Sequence, residues 1–189
     1  MRLVTWLVVT SACSGTIPDG ATDPGDTVDA APTLAPAVAR AMAWVDAKVP
    51  YCQAPNHQPD ADTDCSPTCT RPDNPDWDPY RSDCSGLVSW AWGLPPPGRT
   101  TATLAPFNTA VSMTIAGADL QPGDAINNDH HTMLFADWIV VGSEAHFIEE
   151  PGCSAAQPYA REVDAMVTIS GETVTVQYRG DYTAIRHVP

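Results

Sequence analysis

The sequence predicts an α+β domain in which helices come first and a mainly antiparallel sheet of about five or six strands follows. Three observations carry this expectation. Ala37 to Val49 sets Val38, Ala41, Met42, Val45 and Val49 at helical spacing and stops at Pro50. Asp83 to Leu94 gives a second helix, with Cys84, Leu87, Val88 and Ala91 on one face and Pro95 at its end. From Ala125 onward, short alternating runs are separated by turn residues.

The strands read in order as Ala125 to Asn127, His131 to Phe135, Trp138 to Gly142 with a return over Ala145 to Glu149, then Met166 to Ser170, Thr173 to Gln177 and Thr183 to Val188. Turns fall at Pro122-Gly123-Asp124, Ser170-Gly171-Glu172 and Arg179-Gly180-Asp181, where Gly supplies the backbone freedom. Tyr178 and Tyr182 flank the last turn and are expected to pack across it. Thr100 to Gly117 shows no clear period.

The 189 residues suit one domain with short appendages. Lys+Arg 9 against Asp+Glu 23 gives a formal charge of -14, which argues against nucleic acid or an anionic membrane surface as the main partner. At the start, Arg2 precedes the apolar run Leu3 to Val9 and then small residues, the pattern of an export signal too short to span a bilayer. Thr10-Ser11-Ala12-Cys13 resembles the bacterial lipobox, with Thr10 in place of the usual leucine. Residues 1–13 are thus read as a signal peptide with a lipidation cysteine, Cys13, and the alternative is an ordinary cleaved signal. Either way the expected location is the bacterial cell envelope outside the cytoplasm. Residues 14–36, rich in Asp, Pro, Thr and Gly, read as a disordered tether, and 37–189 as the folded domain.

The six cysteines divide by context. Cys52, Cys65, Cys69 and Cys153 lie in loop-like sequence, and their even number in an exported chain suggests two disulfides of open connectivity. Three of them sit in an insertion over residues 52–79 whose Pro, Asp and Asn content shows no period. A zinc site at Cys65, Cys69 and His57, or calcium on the insertion's aspartates, is the rival reading. Cys84 is left over. At a helix start, with Ser82 or Asp83 able to cap, unpaired N–H groups and the helix dipole should lower its thiol pKa; a buried core cysteine is the plain alternative.

The run Asp83-Cys84-Ser85-Gly86-Leu87-Val88 resembles the nucleophile motif of the NlpC-type cell-wall cysteine peptidases, in which it opens the first long helix of a papain-like core. The resemblance implies that core for the fold. It also implies that Pro50-Tyr51 precedes the nucleophile, with Tyr51 beside the active site, and that a Pro-Gly-Asp turn precedes the catalytic histidine. His131-Thr132-Met133-Leu134-Phe135 matches that histidine strand; His130 would face the other way. A polar residue after a hydrophobic pair on the returning strand orients the imidazole, and Glu149 after Phe147-Ile148 takes that place, with Glu150 and then His146 as alternatives. A metal on Asp129, His130 and His131 is the competing reading, disfavoured because adjacent strand residues point apart.

The chemistry implied is acyl transfer by Cys84, His131 and Glu149, with Tyr51, Asp83 and Ser85 at the helix start around the oxyanion and substrate. The resemblance names an amide in peptidoglycan stem peptides as substrate, cleaved by an endopeptidase. A CHAP-type amidase, or a non-catalytic surface lipoprotein binding wall fragments or a protein partner, are the alternatives. No cofactor or metal is called for, and a monomer is expected.

Overall fold

The computed structural model describes residues 35–55, 74–104 and 110–189, which belong to one compact unit. Cys13, the tether up to Leu34, His57, Cys65, Cys69 and most of the insertion lie outside the described residues.

Helix α1 (Pro36–Ala47) starts with Pro in its first turn, where a missing N–H costs nothing, and buries Val38, Ala41 and Trp44. It ends at Lys48 in the left-handed region, φ 50, whose N–H reaches the carbonyls of Trp44 and Val45. A short ladder of β1 (Cys52–Pro55) with β2 (Arg81–Ser82) follows, pairing Cys52 with Ser82. Helix α2 (Cys84–Trp92) is capped by Asp83 and closed by Gly93 at φ 70. Trp90 on α2 lies parallel to Trp44 on α1, with ring centroids 6.3 Å apart. After the short α3 (Thr101–Leu104) come β3 (Ser112–Thr114), a 3-10 turn at Gly117–Asp119, β4 (Ala125–Asn127), β5 (Thr132–Val140), β6 (Glu144–Glu149), β7 (Arg161–Ser170), β8 (Thr173–Val176) and β9 (Gly180–His187).

The strands go beyond the expected antiparallel sheet of five or six strands. β9 pairs on one side with β4, Ala125 opposite Ile185, and on the other with β8, Thr173 opposite Thr183. The order β9-β4-β5-β6-β7-β8 therefore returns to β9, and six antiparallel strands close into a barrel, with β3 attached outside on β9. The expectation of a papain-like α+β core with helices packed on a sheet is corrected: among the described residues the domain is mostly sheet, closed on itself, with three α-helices. Closure leaves no free edge on these six strands and fills a small interior with side chains.

Strand alternation serves two cores at once. Ile126, Met133, Phe135, Ala145, Phe147, Val174, Val176, Tyr182 and Ala184 fill the barrel. Their neighbours Ala125, Leu134, Ile148 and Ile185 point outward and pack with Val38, Ala41, Trp44, Leu87 and Val88 of the helices. Each large apolar side chain so buried stabilises the fold by about 1.5–3 kcal/mol. Three local expectations also change. β7 begins at Arg161, earlier than the apolar run from Met166. Tyr178 and Tyr182 do not pack together, because Tyr178 is 97% exposed while Tyr182 enters the barrel. Thr100 to Gly117, read as without period, holds α3 and β3.

Candidate functional site

One barrel end collects the starts of β5, β7 and β9 and the ends of β4 and β6; His131 and Glu149 meet there, and Cys84 lies beside Thr132 at the start of β5. Asp83 places the first turn of α2: its carboxylate accepts from the Gly86 N–H at 2.6 Å and the Ser85 hydroxyl at 3.0 Å, and Arg81 Nη1 lies 3.3 Å from it. Gly86 must be glycine, since a Cβ there would stand 2.0 Å from the Arg81 carbonyl oxygen. The motif's Asp and Gly are thus explained by packing: one caps the helix, the other lets it approach β2. Cys84 occupies the first helical position, where geometry leaves its N–H without an intrahelical partner.

Cys84 is buried and is the free cysteine among the described residues, Cys52 and Cys153 both being disulfide-bonded. The backbone N–H groups of Thr132 and Ser85 face its sulfur and favour the thiolate. The expected lowering of the thiol pKa is wrong. Burial first, and then the adjacent Asp83 charge, push it up to about 12, outweighing those N–H groups and Arg81. A helix N-terminus favours a thiolate only if water or a cation also serves it.

The Thr132 N–H that meets the sulfur belongs to the residue after His131. His131 itself is held by an Asx turn: the Asn128 side-chain oxygen accepts from the N–H groups of His130, at 2.9 Å, and His131, at 2.8 Å. His131 Nε2 then lies 2.8 Å from Glu149 Oε2, and Nδ1 is the ring nitrogen without a hydrogen bond among the described residues. His130 and Asp129 are exposed, so the Asp129-His130-His131 cluster does not converge, and among the described residues no group of three His, Cys, Asp or Glu is placed to hold a metal ion.

Glu149 is fully buried, and both its oxygens are taken. Arg161 donates to Oε1 through Nε at 3.0 Å and Nη2 at 2.7 Å. Arg179 bridges both oxygens, Nη1 to Oε2 at 2.5 Å and Nη2 to Oε1 at 3.1 Å. Burial raises its pKa, but the hydrogen bonds from His131, Arg179 and Arg161 overcome that and hold the carboxyl well below the usual carboxylate range. Glu150 is also buried but does not meet His131, and His146 faces outward between Asp164, at 2.6 Å, and Glu162, at 2.9 Å.

Tyr51 stands beside the start of α2 by register, one residue before the Cys52–Ser82 pair, and its hydroxyl meets Gln53 Nε2 at 3.3 Å. With Gln53, Cys153 and Ser154 it lines a cavity of about 420 Å³. Tyr182 packs edge-on to His131, with centroids 6.5 Å apart, and the Asn128 side chain acts on its hydroxyl. Burial raises its pKa.

Asn128, Arg161, Arg179 and Tyr182 are the site residues the sequence reading missed. Asn128 was legible as an Asx turn before a strand. The two arginines and Tyr182 were not, because strand register alone brings them to Glu149 and His131.

No protein-family model, no curated protein and no solved structure matches the chain. The site is therefore read from its geometry.

Proposed function

We propose that the protein is a cysteine hydrolase of amide bonds. Its particular substrate, on the resemblance of Asp83-Cys84-Ser85-Gly86 to the NlpC-type motif, is the peptide stem of peptidoglycan, which it cleaves as an endopeptidase. The observation that carries this reading is the convergence at one barrel end of a free cysteine on a helix N-terminus, the adjoining His131 strand, and a buried carboxylate 2.8 Å from the ring.

In this mechanism His131 Nδ1 takes the thiol proton as Cys84 Sγ attacks the carbonyl carbon, and the carbonyl electron pair moves to oxygen. The N–H groups of Cys84 and Ser85 at the first turn of α2 receive that oxyanion, while Asp83 holds the turn in place and Tyr51 borders the substrate. The ring then gives its proton to the leaving nitrogen as the C–N bond breaks, and water releases the acyl group by the reverse path. Glu149 fixes the ring by accepting from Nε2.

A CHAP-type amidase is the second reading within the same chemistry, favoured by a carboxylate as third member. The protein is assigned to the cell envelope, exported and held to a membrane through lipidated Cys13. Incubating purified sacculi with wild-type and Cys84→Ala protein and identifying released muropeptides by mass spectrometry tests the assignment. A new free amine within the stem supports the endopeptidase, and release of the whole stem from its sugar supports the amidase. A lack of Cys84-dependent product removes both and leaves a binding lipoprotein.

A further inference from the structure

Glu149 accepts hydrogen bonds from three side chains that each carry or can carry positive charge, and it is the only anion among them. Arg161 and Arg179 together place two fixed cations against one carboxylate, before His131 is counted. Glu149 has no exposed side-chain surface, whereas Arg179 is 29% and Arg161 42% exposed. In so buried a place the two guanidiniums cancel the field that the carboxylate would otherwise exert on the ring. The hydrogen bond to Nε2 survives, because it depends on where Oε2 sits. The attraction of a bare carboxylate for an imidazolium does not.

We propose, on the reading of Cys84 and His131 as nucleophile and base, that Arg161 and Arg179 are positioning residues: they lock Glu149 against His131 and silence its charge. The Cys84 proton then crosses to the ring only as the sulfur attacks, instead of resting there as a standing thiolate–imidazolium pair.

The surroundings of the sulfur point the same way. Cys84 is faced by Asp83 and Arg81 from the segment before α2, by the Thr132 N–H from β5, and by Tyr182 from β9; of the charges, the carboxylate of Asp83 acts on it most strongly. A thiolate is thus not favoured at rest. A thiol kept protonated is also a poor target for oxidants, which act on the thiolate.

The test uses the full-length protein and needs no substrate. Thiolate absorbance in the ultraviolet, corrected with Cys84→Ala, and the rate of alkylation by iodoacetamide are followed against pH for the wild type, Arg161→Gln, Arg161→Lys and Glu149→Gln. Arg161→Gln should uncover the Glu149 charge and raise the thiolate fraction at neutral pH about tenfold, a shift of about one pH unit toward acid. Arg161→Lys, which keeps the charge, should restore the wild-type profile, and Glu149→Gln should move it toward alkali. Because Arg161 is partly exposed, water replaces its donors in Arg161→Gln, and circular dichroism checks that the variant is folded. An Arg161→Gln profile that stays put or moves toward alkali overturns the proposal while leaving the hydrolase reading intact. Alkylation of the wild type that is indifferent to His131→Ala overturns the hydrolase reading itself.

Discussion

The two ends of the barrel each hold a buried carboxylate gripped by arginine, and they differ in how the charges are matched. At the end away from Cys84, Asp124 takes Arg186 Nε at 2.8 Å and Nη2 at 2.7 Å, and the Gln121 backbone N–H at 2.7 Å. One cation meets one anion, a backbone N–H takes a further lone pair, and Arg186 also donates to the Asp119 carbonyl at 2.8 Å. This is a latch for the Pro122-Gly123-Asp124 turn. At the other end Glu149 meets two arginines and a titratable ring. A purely structural carboxylate has no need of a third charged donor that can change its protonation state. On the hydrolase reading proposed above, the surplus falls at the end where the proton transfers would take place.

That contrast can be broken by substitution. The largest expected effect is catalytic: Cys84→Ala should abolish hydrolysis of sacculi, and His131→Ala should slow it about 10²–10⁴-fold, the usual contribution of a general base. Asp124→Asn should leave the rate per folded molecule unchanged. Equal rate losses at the two ends, measured as muropeptide release, would erase the distinction.

Stability comes next. Glu149→Ala strands two partly buried cations and should cost about 3–5 kcal/mol in urea unfolding. Asp124→Ala frees only Arg186, a third of whose side chain already meets water, and should cost about 1–3 kcal/mol. A reversed order would show that the latch, and not the site end, holds the barrel shut.

Gly86→Ala should cost about 1–3 kcal/mol, because its methyl would collide with the Arg81 carbonyl and push α2 away from β2. The same denaturation series reads it. A neutral substitution there would mean that the first turn of α2 is not fixed against β2.

The smallest effect is on pH dependence. The folded-state pKa of Glu149 lies below its unfolded value, so the folded protein releases this proton more readily. Its stabilisation is fully present above the ordinary glutamate value of about 4.3 and is lost as pH falls below that toward the folded pKa. Thermal melts of Glu149→Gln should therefore lose less stability than the wild type between about pH 5 and pH 3. Parallel curves would mean that another carboxylate governs acid lability.

Much of the site's local chemistry was legible from residue order. The helix start at Cys84, the cap at Asp83 and the alternation that points His131 with Met133 and Phe135 all depend on neighbours within a few residues. The choice of Glu149 over Glu150 came instead from the family resemblance, which places a polar residue after the pair Phe147-Ile148, and Glu149 lies 2.8 Å from His131. The long early half of β7 was hidden because Glu162 and Asp164 lie on its exposed face while Arg161 takes the first position on the other face, against Glu149.

What the sequence determined by itself is therefore the local geometry: which residues cap, turn and alternate, and hence which side chains share a face. Those are set by backbone sterics and short-range hydrogen bonds. The tertiary structure decided the rest. Barrel closure depends on β9 pairing with both β4 and β8, strands separated from it by very different lengths of chain. The thiol's pKa and the charge around Glu149 depend on burial and on arginines delivered by β7 and by the turn before β9. Desolvation and Coulomb interactions sum over whatever the fold assembles, so a cysteine that its own helix would acidify is held protonated by its burial and by the adjacent Asp83 charge.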